Sequence, residues 1–257
     1  EPQHKAKGKI TTKLLKLLKI NYFIIKKDSD LNKVSKLIKK SKKQKKVVAF
    51  LIEKGTLAIN KKTIKKNDSK GILRHEFINY FLKTIPKKCK IISTTGFTSR
   101  ELMETRKKSK LMSGKDFYMV GGMGHSAAVA AGYTLHSNQK VFCLDGDGSI
   151  LMHLGILRTI GVIKKNNFKH IIFNNSSHES VGGQPTYADG INFSKLSTSL
   201  GYVKYFKMST TKNFKNIIHK FLRCNGPAML EVIIRNGTIK NLSRPKNLLK
   251  IKNNFMI

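Results

Sequence analysis

Short apolar runs alternate with longer amphipathic stretches along this chain, and this order is typical of strands and helices that follow one another in a parallel sheet. The clearest repeat begins with an apolar run at residues 141–144, passes through the polar glycine turn DGDG and an amphipathic stretch, and ends with an apolar run at residues 170–173. This order predicts a βαβ unit, in which both strands are parallel. Asn174 and Asn175 follow the second strand directly.

The same alternation predicts further elements on both sides of this unit. We therefore expect an α/β fold with a parallel sheet and helices on both of its faces. Residues 61–70 are polar and charged, and we interpret them as a linker. After Gly237 the chain is basic and aperiodic, which predicts a tail that wraps the surface or is disordered. The predicted helices are residues 12–18, 30–40, 74–83, 126–135, 193–200 and 211–223, and the predicted strands are residues 22–25, 47–52, 90–93, 117–120, 202–206 and 228–235.

Polar side chains and glycines cluster at the carboxyl ends of the two strands of the βαβ unit. Because parallel strands end at the same edge of a sheet, Asp147 is expected to lie near Asn174 and Asn175. A carboxylate, an amide oxygen and the N-terminus of the following helix favour a divalent-metal diphosphate site. The alternative is that Asp147 only caps the helix. The 25 residues between Gly148 and Asn174, which one helix and one strand fill, favour the functional interpretation.

Three sequence blocks carry a resemblance to a known family. GDG followed at this spacing by NN is the motif of thiamine diphosphate enzymes. The blocks TTGFTSRE, FYMVGGMGH and NNSSHESVGGQPT, at residues 94–101, 117–125 and 174–186, resemble the phosphonopyruvate decarboxylases of that family. The resemblance extends from residue 1 to about residue 237. It implies the thiamine diphosphate-binding fold, thiamine diphosphate and Mg²⁺ as cofactors, and decarboxylation of 3-phosphonopyruvate to phosphonoacetaldehyde and CO₂ in phosphonate biosynthesis.

The resemblance also implies ligands for the metal and the cofactor. Asp147 and Asn175 match the side-chain ligands of the magnesium ion, and Ser177 matches the position that offers a backbone carbonyl. Asn174 is a rival ligand, and its other expected role is to cap the end of its strand. The positions that match cofactor-binding residues are Thr95, Gly96, Thr98, Gly121, Gly122, Met123, Gly124, Gly146, Asp147, Gly148, Ser149 and Asn175.

The GGMG segment matches the part of the family that lies beneath the cofactor. Met123 stands at the position of the apolar residue that supports the bent cofactor, and the carbonyl of Gly121 stands at that of the acceptor for its 4′-amino group. A core methionine is the other interpretation of Met123, but the flanking glycines favour the close approach of a ligand.

Residues inside the same blocks are candidates for catalysis. Two histidines, His125 and His178, could transfer protons or contact the anionic groups of the substrate, because imidazole titrates near neutral pH. A structural or surface role is the alternative for both. Ser180 and Gln184 belong to the glycine-rich loop that follows the metal ligands, and we expect them to contact the substrate. That loop could serve as a lid.

The resemblance divides the chain into domains. The expected divisions are residues 1–60 as the C-terminal part of a pyrimidine-binding domain, 61–70 as the linker, 71–237 as the pyrophosphate-binding domain and 238–257 as a basic tail. Family members need a glutamate from the pyrimidine-binding domain, and Glu53, Glu76 and Glu101 do not lie in a matching motif. We therefore expect a fragment or one subunit of a split enzyme. Its working state would be a homo-oligomer, or a pair with a chain that supplies the pyrimidine-binding domain.

Two other functions remain open from the sequence. The cofactor-binding subunit of a sulfopyruvate decarboxylase shares GDG and NN, although it matches the MGH and HESVGGQPT segments less well. A non-catalytic subunit that retains thiamine diphosphate is the third hypothesis. A glutamate-bearing segment encoded upstream or on a neighbouring chain would separate the third hypothesis from the two enzymes.

Composition narrows the range of partners. The net charge is +37, but most of the 51 basic residues are lysines spread along the chain, which is typical of solvated helix faces and argues against a nucleic-acid partner. A positive field of this kind would attract an anionic substrate, and the resemblance implies that this substrate is a small 2-oxo acid. No apolar run approaches the roughly 18 residues of a membrane span. Cys89, Cys143 and Cys224 lack metal-ligand spacing and suit core thiols in a reducing compartment, so we expect a cytoplasmic protein without a membrane partner.

Overall fold

The computed structural model describes residues 2–27, 30–58, 71–108 and 115–257. The chain divides into two compact units, residues 1–66 and 67–257, and each is considered by itself. The predicted linker at residues 61–70 lies outside the described residues. None of the helices in the described ranges is long and apolar enough to cross a membrane.

The first unit contains two helices and two parallel strands. Its elements are α1 (Pro2–Leu17), β1 (Asn21–Ile25), α2 (Leu31–Gln44) and β2 (Val48–Ile52). Strands β1 and β2 pair in register from Asn21 with Val48 to Ile25 with Ile52. Ile25 is buried, whereas Leu17, Val47 and Ile52 expose more than half of their surface. The unit is therefore a small α/β piece with much of its apolar surface open to solvent.

The second unit is a six-stranded parallel sheet in the order β4-β3-β5-β6-β8-β7. Its strands are β3 (Cys89–Ser93), β4 (Phe117–Tyr118), β5 (Lys140–Gly146), β6 (Phe168–Asn174), β7 (Lys204–Met208) and β8 (Ala228–Ile233). Its helices are α3 (Arg74–Thr84), α4 (Phe97–Lys108), α5 (Ser126–Leu135), α6 (Asp147–Met152), α7 (Gly155–Ile163), α8 (Phe193–Ser199), α9 (Phe214–Arg223) and α10 (Leu248–Met256). The predicted parallel sheet is confirmed.

Each face of the sheet has its own apolar core. Side chains of α3, α4 and α9 pack on one face against alternate strand residues such as Phe142 and Phe173. Side chains of α5, α7, α8 and α10 pack on the other face against residues such as Cys143 and Ile172. Strand β6 is buried along its whole length because helices cover it on both sides. Helices on both faces are therefore confirmed, and the central strands β5 and β6 end side by side at the candidate site.

The prediction of a single amphipathic helix within the βαβ unit is wrong, because two helices, α6 and α7, fill this segment. Helix α6 ends at His153, whose backbone leaves the helical region at φ −143° and ψ 54°, and α7 begins two residues later. The apolar periodicity continues through the break, since Ile150 and Leu157 both enter the same core. The pattern of apolar residues therefore does not reveal where the helix breaks.

The C-terminal tail is ordered at its end, so the alternative of a disordered tail is wrong for α10. Asn247 caps this helix, since its side-chain oxygen accepts a hydrogen bond from the Lys250 amide at 2.9 Å. Phe255 is buried, with its ring 5.3 Å from that of Phe117 and 4.9 Å from that of Tyr133. The Lys90 ammonium also donates to the carbonyl of Phe255. A buried ring, a helix cap and this hydrogen bond thus dock a segment whose other residues are mostly polar or exposed.

Candidate active site at the carboxyl edge of the sheet

The DGDG turn connects the end of β5 to the start of α6. Gly146 is extended and Asp147 is the first residue of the helix, so this carboxylate lies at a helix N-terminus. Asp147 is buried, and the hydroxyl of Thr186 donates a hydrogen bond to its Oδ2 at 2.5 Å. Burial raises the pKa of Asp147 above its usual value. A bound cation would stabilise the charged form that burial disfavours, so this carboxylate suits a metal ligand.

The second glycine of the turn is closely covered. A β-carbon at position 148 would lie 2.7 Å from Nδ1 of His178 and 2.9 Å from Cγ2 of Thr186. In contrast, a β-carbon at Gly146 would have no described protein atom within 4 Å. The two glycines of the turn therefore differ: the loop after β6 packs on one of them, and the other faces open space.

Ser149 joins three separate segments of the chain. Its hydroxyl is hydrogen-bonded to that of Thr94 at 2.8 Å and accepts the amide of Gly124 at 3.1 Å. Thr94 follows strand β3 and donates its own amide to the carbonyl of Leu144. The structure thus brings the TTGFTSRE, GGMG and GDG segments together, as their placement at strand ends predicts.

The TTGFTSRE segment differs in detail from the sequence prediction. Thr94, which was not among the candidates, makes the contact with α6, while Thr95 is half-buried and Thr98 is buried within α4. Gly96 has a positive φ of 89°, and a β-carbon there would lie 2.9 Å from the hydroxyl oxygen of Ser180. Thr94 could have been identified by its position directly after a strand at the same edge as Asp147.

The GGMG segment forms a tight turn before α5. Gly121 and Gly124 have positive φ values of 83° and 87°, which explains why glycine stands at both positions. The carbonyl of Gly121 accepts the amide of Met123 at 3.1 Å. Gly122 and Met123 are half-buried, so Met123 is not a fully enclosed core methionine.

The imidazole of His125 packs against that of His153 in a tilted arrangement. Their ring centroids are 4.3 Å apart with an angle of 30° between the planes, and both residues are exposed. His153 also lies beside Gly124 and stands at the break between α6 and α7. His153 was not among the predicted site residues, because its side chain reaches the GGMG turn only through the fold.

The two asparagines after β6 have different surroundings. The amide nitrogen of Asn174 donates to the Glu231 carboxylate at 2.7 Å, and its oxygen accepts the Ser176 amide at 3.1 Å. The amide nitrogen of Asn175 donates to Oδ1 of Asn236 at 2.8 Å, and its oxygen accepts the Ser177 amide at 3.2 Å. Asn174 is buried and Asn175 is half-buried, so Asn175 is the more accessible of the two.

The loop that follows the asparagines folds back on itself. Ser177 pairs with Pro185, and the amide of His178 donates to the carbonyl of Gln184 at 2.8 Å. Ser180 and Gln184 are exposed, whereas His178 is half-buried against the DGDG turn. The loop thereby brings His178 to Gly148 and Ser180 to Gly96, and it holds Gln184 farther out in solvent.

Asp145, near the end of β5, belongs to a buried group of polar side chains that also includes His170 and Tyr202. Asp145 accepts the Gly146 amide at 2.9 Å through Oδ1, and its Oδ2 lies 3.5 Å from Nε2 of His170. Nδ1 of His170 is hydrogen-bonded to the Tyr202 hydroxyl at 2.9 Å. Burial acts to raise the pKa of Asp145, but His170 and the Gly146 amide hold it below its usual value. Cys143, Asp145 and His170 lie with their ligand atoms within 4.8 Å of one another, in the core of the sheet.

The donor set at this edge fits a magnesium ion with a diphosphate. Asp147 offers a buried carboxylate at the start of α6, and Asn175 offers an amide oxygen after β6. Mg²⁺ prefers oxygen ligands and completes its coordination with phosphate oxygens and water. The open space above Gly146 leaves room at the turn for such a group.

Comparison with known proteins agrees with this geometry. The family model described as thiamine pyrophosphate enzyme, C-terminal TPP binding domain, matches residues 93–232. The chain is 29% identical to a phosphonopyruvate decarboxylase of Streptomyces viridochromogenes over 96% of its own length and 65% of that relative. It is also 29% identical to the sulfopyruvate decarboxylase subunit beta of Methanocaldococcus jannaschii, over 70% of its length and 94% of the relative.

A solved structure supports the fold. The thiamine diphosphate-dependent 4-hydroxybenzoylformate decarboxylase of Rhodococcus jostii RHA1 superposes with a TM-score of 0.55 at 18% identity, covering 72% of this chain and 36% of that one. The expected thiamine diphosphate-binding fold is thereby confirmed. Because the family model covers more than half of the sequence, this chain belongs to the thiamine pyrophosphate enzymes and contains their C-terminal TPP-binding domain.

Proposed function

We propose that this chain supplies the cofactor-binding part of a thiamine diphosphate- and Mg²⁺-dependent decarboxylase that converts 3-phosphonopyruvate to phosphonoacetaldehyde and CO₂. The observation that carries the proposal is the junction at Ser149, which joins the TTGFTSRE, GGMG and GDG segments beside a buried Asp147. The alignment with the Streptomyces viridochromogenes phosphonopyruvate decarboxylase over nearly the whole chain supports this substrate. Such a reaction would belong to phosphonate biosynthesis in the cytoplasm.

The metal ligands in this proposal are the side chains of Asp147 and Asn175 and the carbonyl of Ser177. Thr186 holds one oxygen of the Asp147 carboxylate, which fixes the orientation of the group. The Asn174 amide is engaged with Glu231 on one side and the Ser176 amide on the other. These contacts support the role of Asn174 as a cap at the end of β6 rather than as a ligand.

The diphosphate would lie against the amides of the DGDG turn and α6, next to Thr95, Gly96 and Thr98. The GGMG turn, residues 121–124, would support the remainder of the cofactor, with Met123 as its apolar contact. When bound, thiamine diphosphate supplies a carbon nucleophile and an electron sink for the loss of CO₂. The residues of this chain bind it, orient it and exclude water.

His178 and His125 are the proposed proton-transfer and anion-binding residues. His178 lies against the DGDG turn, and His125 lies at the start of α5 beside the GGMG turn. Histidine is the side chain that enzymes use most often for proton transfer. Ser180 and Gln184 would contact the substrate from the loop after β6, which could close over the site as a lid.

The cofactor-binding subunit of a sulfopyruvate decarboxylase is the second candidate function. The chain aligns with 94% of the Methanocaldococcus jannaschii subunit beta, whose name indicates that it works with another subunit. By analogy, this chain would pair with a chain that carries a pyrimidine-binding domain, or form a homo-oligomer. A subunit that binds thiamine diphosphate without catalysis is the remaining alternative.

The test follows aldehyde formation by the full-length gene product with thiamine diphosphate and Mg²⁺, using 3-phosphonopyruvate and 3-sulfopyruvate in parallel. We expect strong preference for 3-phosphonopyruvate and loss of turnover in Asp147→Ala. Preference for 3-sulfopyruvate would favour the second candidate. Turnover of neither substrate, despite bound cofactor, would leave a non-catalytic thiamine diphosphate-binding protein.

A further inference from the structure

The side-chain amide nitrogen of Asn175 donates hydrogen bonds to two acceptors. Its Nδ2 donates to Oδ1 of Asn236 at 2.8 Å and to Oε2 of Glu179 at 3.4 Å. An ionised carboxylate can only accept hydrogen bonds, so Glu179 selects the orientation in which Asn175 presents its nitrogen to this side. The amide oxygen is thereby directed to the opposite side, where it accepts the Ser177 amide and retains a second lone pair.

Glu179 is itself fixed by groups from distant parts of the chain. Its Oε2 accepts from Nη2 of Arg74 at 2.8 Å, and its Oε1 accepts the backbone amide of Gly237. Arg74 is buried at the start of α3 and also pairs with Glu101, which is fully buried in α4, at 3.3 Å. Helix α3, helix α4 and the segment after β8 thus hold the carboxylate that orients Asn175.

The group that holds Asn175 is charged. Arg74 provides one positive charge, and Glu179 and Glu101 provide two carboxylates. These charges are mostly buried, where electrostatic interactions are less screened than at the surface. The Glu179 carboxylate lies on the nitrogen side of the Asn175 amide.

We propose that Glu179 and Asn236 are positioning residues that hold Asn175 in the orientation required of a divalent-cation ligand. The inference rests on the proposed function, in which Asn175 is a ligand and Asn174 is not. Residues that hydrogen-bond to a metal ligand fix its orientation, and their loss weakens metal binding by about 10- to 100-fold. Neither residue would need to contact the cation or the substrate.

The neighbouring asparagine provides a matched control. Asn174 also donates its amide nitrogen to a carboxylate, that of Glu231, at 2.7 Å. Glu231 is buried and additionally accepts from the hydroxyl of Tyr205. The two Asn–Glu pairs have the same chemistry and start from adjacent residues, so the same substitution in each pair distinguishes the asparagine that serves as ligand.

The experiment measures Mn²⁺ binding to the full-length protein by electron paramagnetic resonance of free Mn²⁺, with saturating thiamine diphosphate. Glu179→Gln is expected to weaken Mn²⁺ binding by about 10- to 100-fold, while Glu231→Gln leaves it unchanged. Thermal unfolding without metal checks that each variant folds. Because Glu179→Gln leaves Arg74 with one partner fewer, Asn236→Leu serves as a second variant that keeps the Arg74–Glu179 pair, and it is expected to weaken binding in the same way.

Each outcome separates this inference from the proposed function. Wild-type Mn²⁺ affinity in both Glu179→Gln and Asn236→Leu would overturn the positioning role while leaving the metal site intact. Weakened binding in Glu231→Gln alone would overturn it and make Asn174 the ligand. Failure of the wild-type protein to bind Mn²⁺ with thiamine diphosphate would instead overturn the proposed function, and this inference with it.

Discussion

The imidazole of His178 lies directly against Gly148, so the second glycine of the DGDG turn has no room for a side chain. A β-carbon there would lie 2.7 Å from Nδ1 of His178, closer than real β-carbons approach other atoms. Gly146, two residues earlier, meets no described protein atom within 4 Å of such a β-carbon. One glycine is therefore required by the loop packed on it, and the other leaves space that the cofactor is proposed to fill.

Replacement of the two glycines should therefore have different effects. We expect Gly148→Ala to lower the free energy of unfolding by about 1–3 kcal/mol, because the methyl group must displace the side chains of His178 and Thr186. Gly146→Ala should leave the stability of the cofactor-free protein unchanged but weaken thiamine diphosphate binding. Urea unfolding and titration with the cofactor measure the two effects. Equal stability of both variants would contradict the close packing of His178 on Gly148.

The position of His178 also predicts the consequence of its removal. In the full-length enzyme, His178→Ala should reduce kcat by about 100-fold, the size expected for loss of a proton-transfer group. The affinity for thiamine diphosphate should change little, since the turn that binds it remains. Steady-state kinetics with varied substrate and cofactor separates the two quantities. An unchanged kcat with weakened cofactor binding would show that His178 serves only to pack the turn.

A close contact between α7 and the end of α8 predicts a sensitive glycine in the core. A β-carbon at Gly161 would lie 2.8 Å from Cα of Gly201 and still closer to the carbonyl oxygen of Leu200. Backbone atoms cannot rotate away, so Gly161→Ala should destabilise the protein by about 3 kcal/mol.

Gly132 in α5 is the matched control, because it is exposed and a β-carbon there would meet no described atom within 4 Å. Gly132→Ala should raise the stability by about 0.5–1 kcal/mol, since alanine is the better helix former. Thermal unfolding of both variants tests the pair. Similar melting temperatures would contradict the close contact at Gly161.

Lys169 is a buried cation in the central strand β6. Its Nζ donates hydrogen bonds to the carbonyls of Asn166, Cys224 and Gly226 at 2.8–3.0 Å. Lys169→Met should therefore cost about 1–3 kcal/mol at pH 7, because these carbonyls lose their donor. Urea unfolding of wild type and variant measures this difference, and an unchanged free energy of unfolding would show that water replaces the ammonium group at no cost.

The same residue predicts a pH dependence. Burial lowers the pKa of Lys169 to about 8, so between about pH 8 and 10 the unfolded chain holds this proton more tightly than the folded protein does. The wild-type stability should therefore rise with pH over this range relative to Lys169→Met, which lacks the group. A constant difference between the two proteins from pH 7 to 10 would contradict the lowered pKa.

Local patterns were sufficient to predict the parallel α/β fold, since apolar periodicity and turn residues act on near neighbours in the chain. They also predicted that Asp147 lies at the carboxyl edge of the sheet, because the DGDG turn follows a buried strand. The same local reasoning failed at the break between α6 and α7 and at α10. His153 interrupts a helix without interrupting the apolar pattern. In α10, Leu248, Ile251 and Phe255 stand at helical spacing, a short pattern within a segment that was interpreted as aperiodic.

The sequence by itself determined the fold class and the turn that carries Asp147, because both depend on residues close together in the chain. It also determined the family, through motifs at residues 94–101, 117–125 and 174–186. Only the tertiary structure decided that Thr94 rather than Thr95 contacts Ser149, and that Gly161 is enclosed. It also placed Glu179 on Arg74, 105 positions away. Such contacts depend on how strands and helices pack against one another, and packing brings together residues whose separation in sequence carries no local signal.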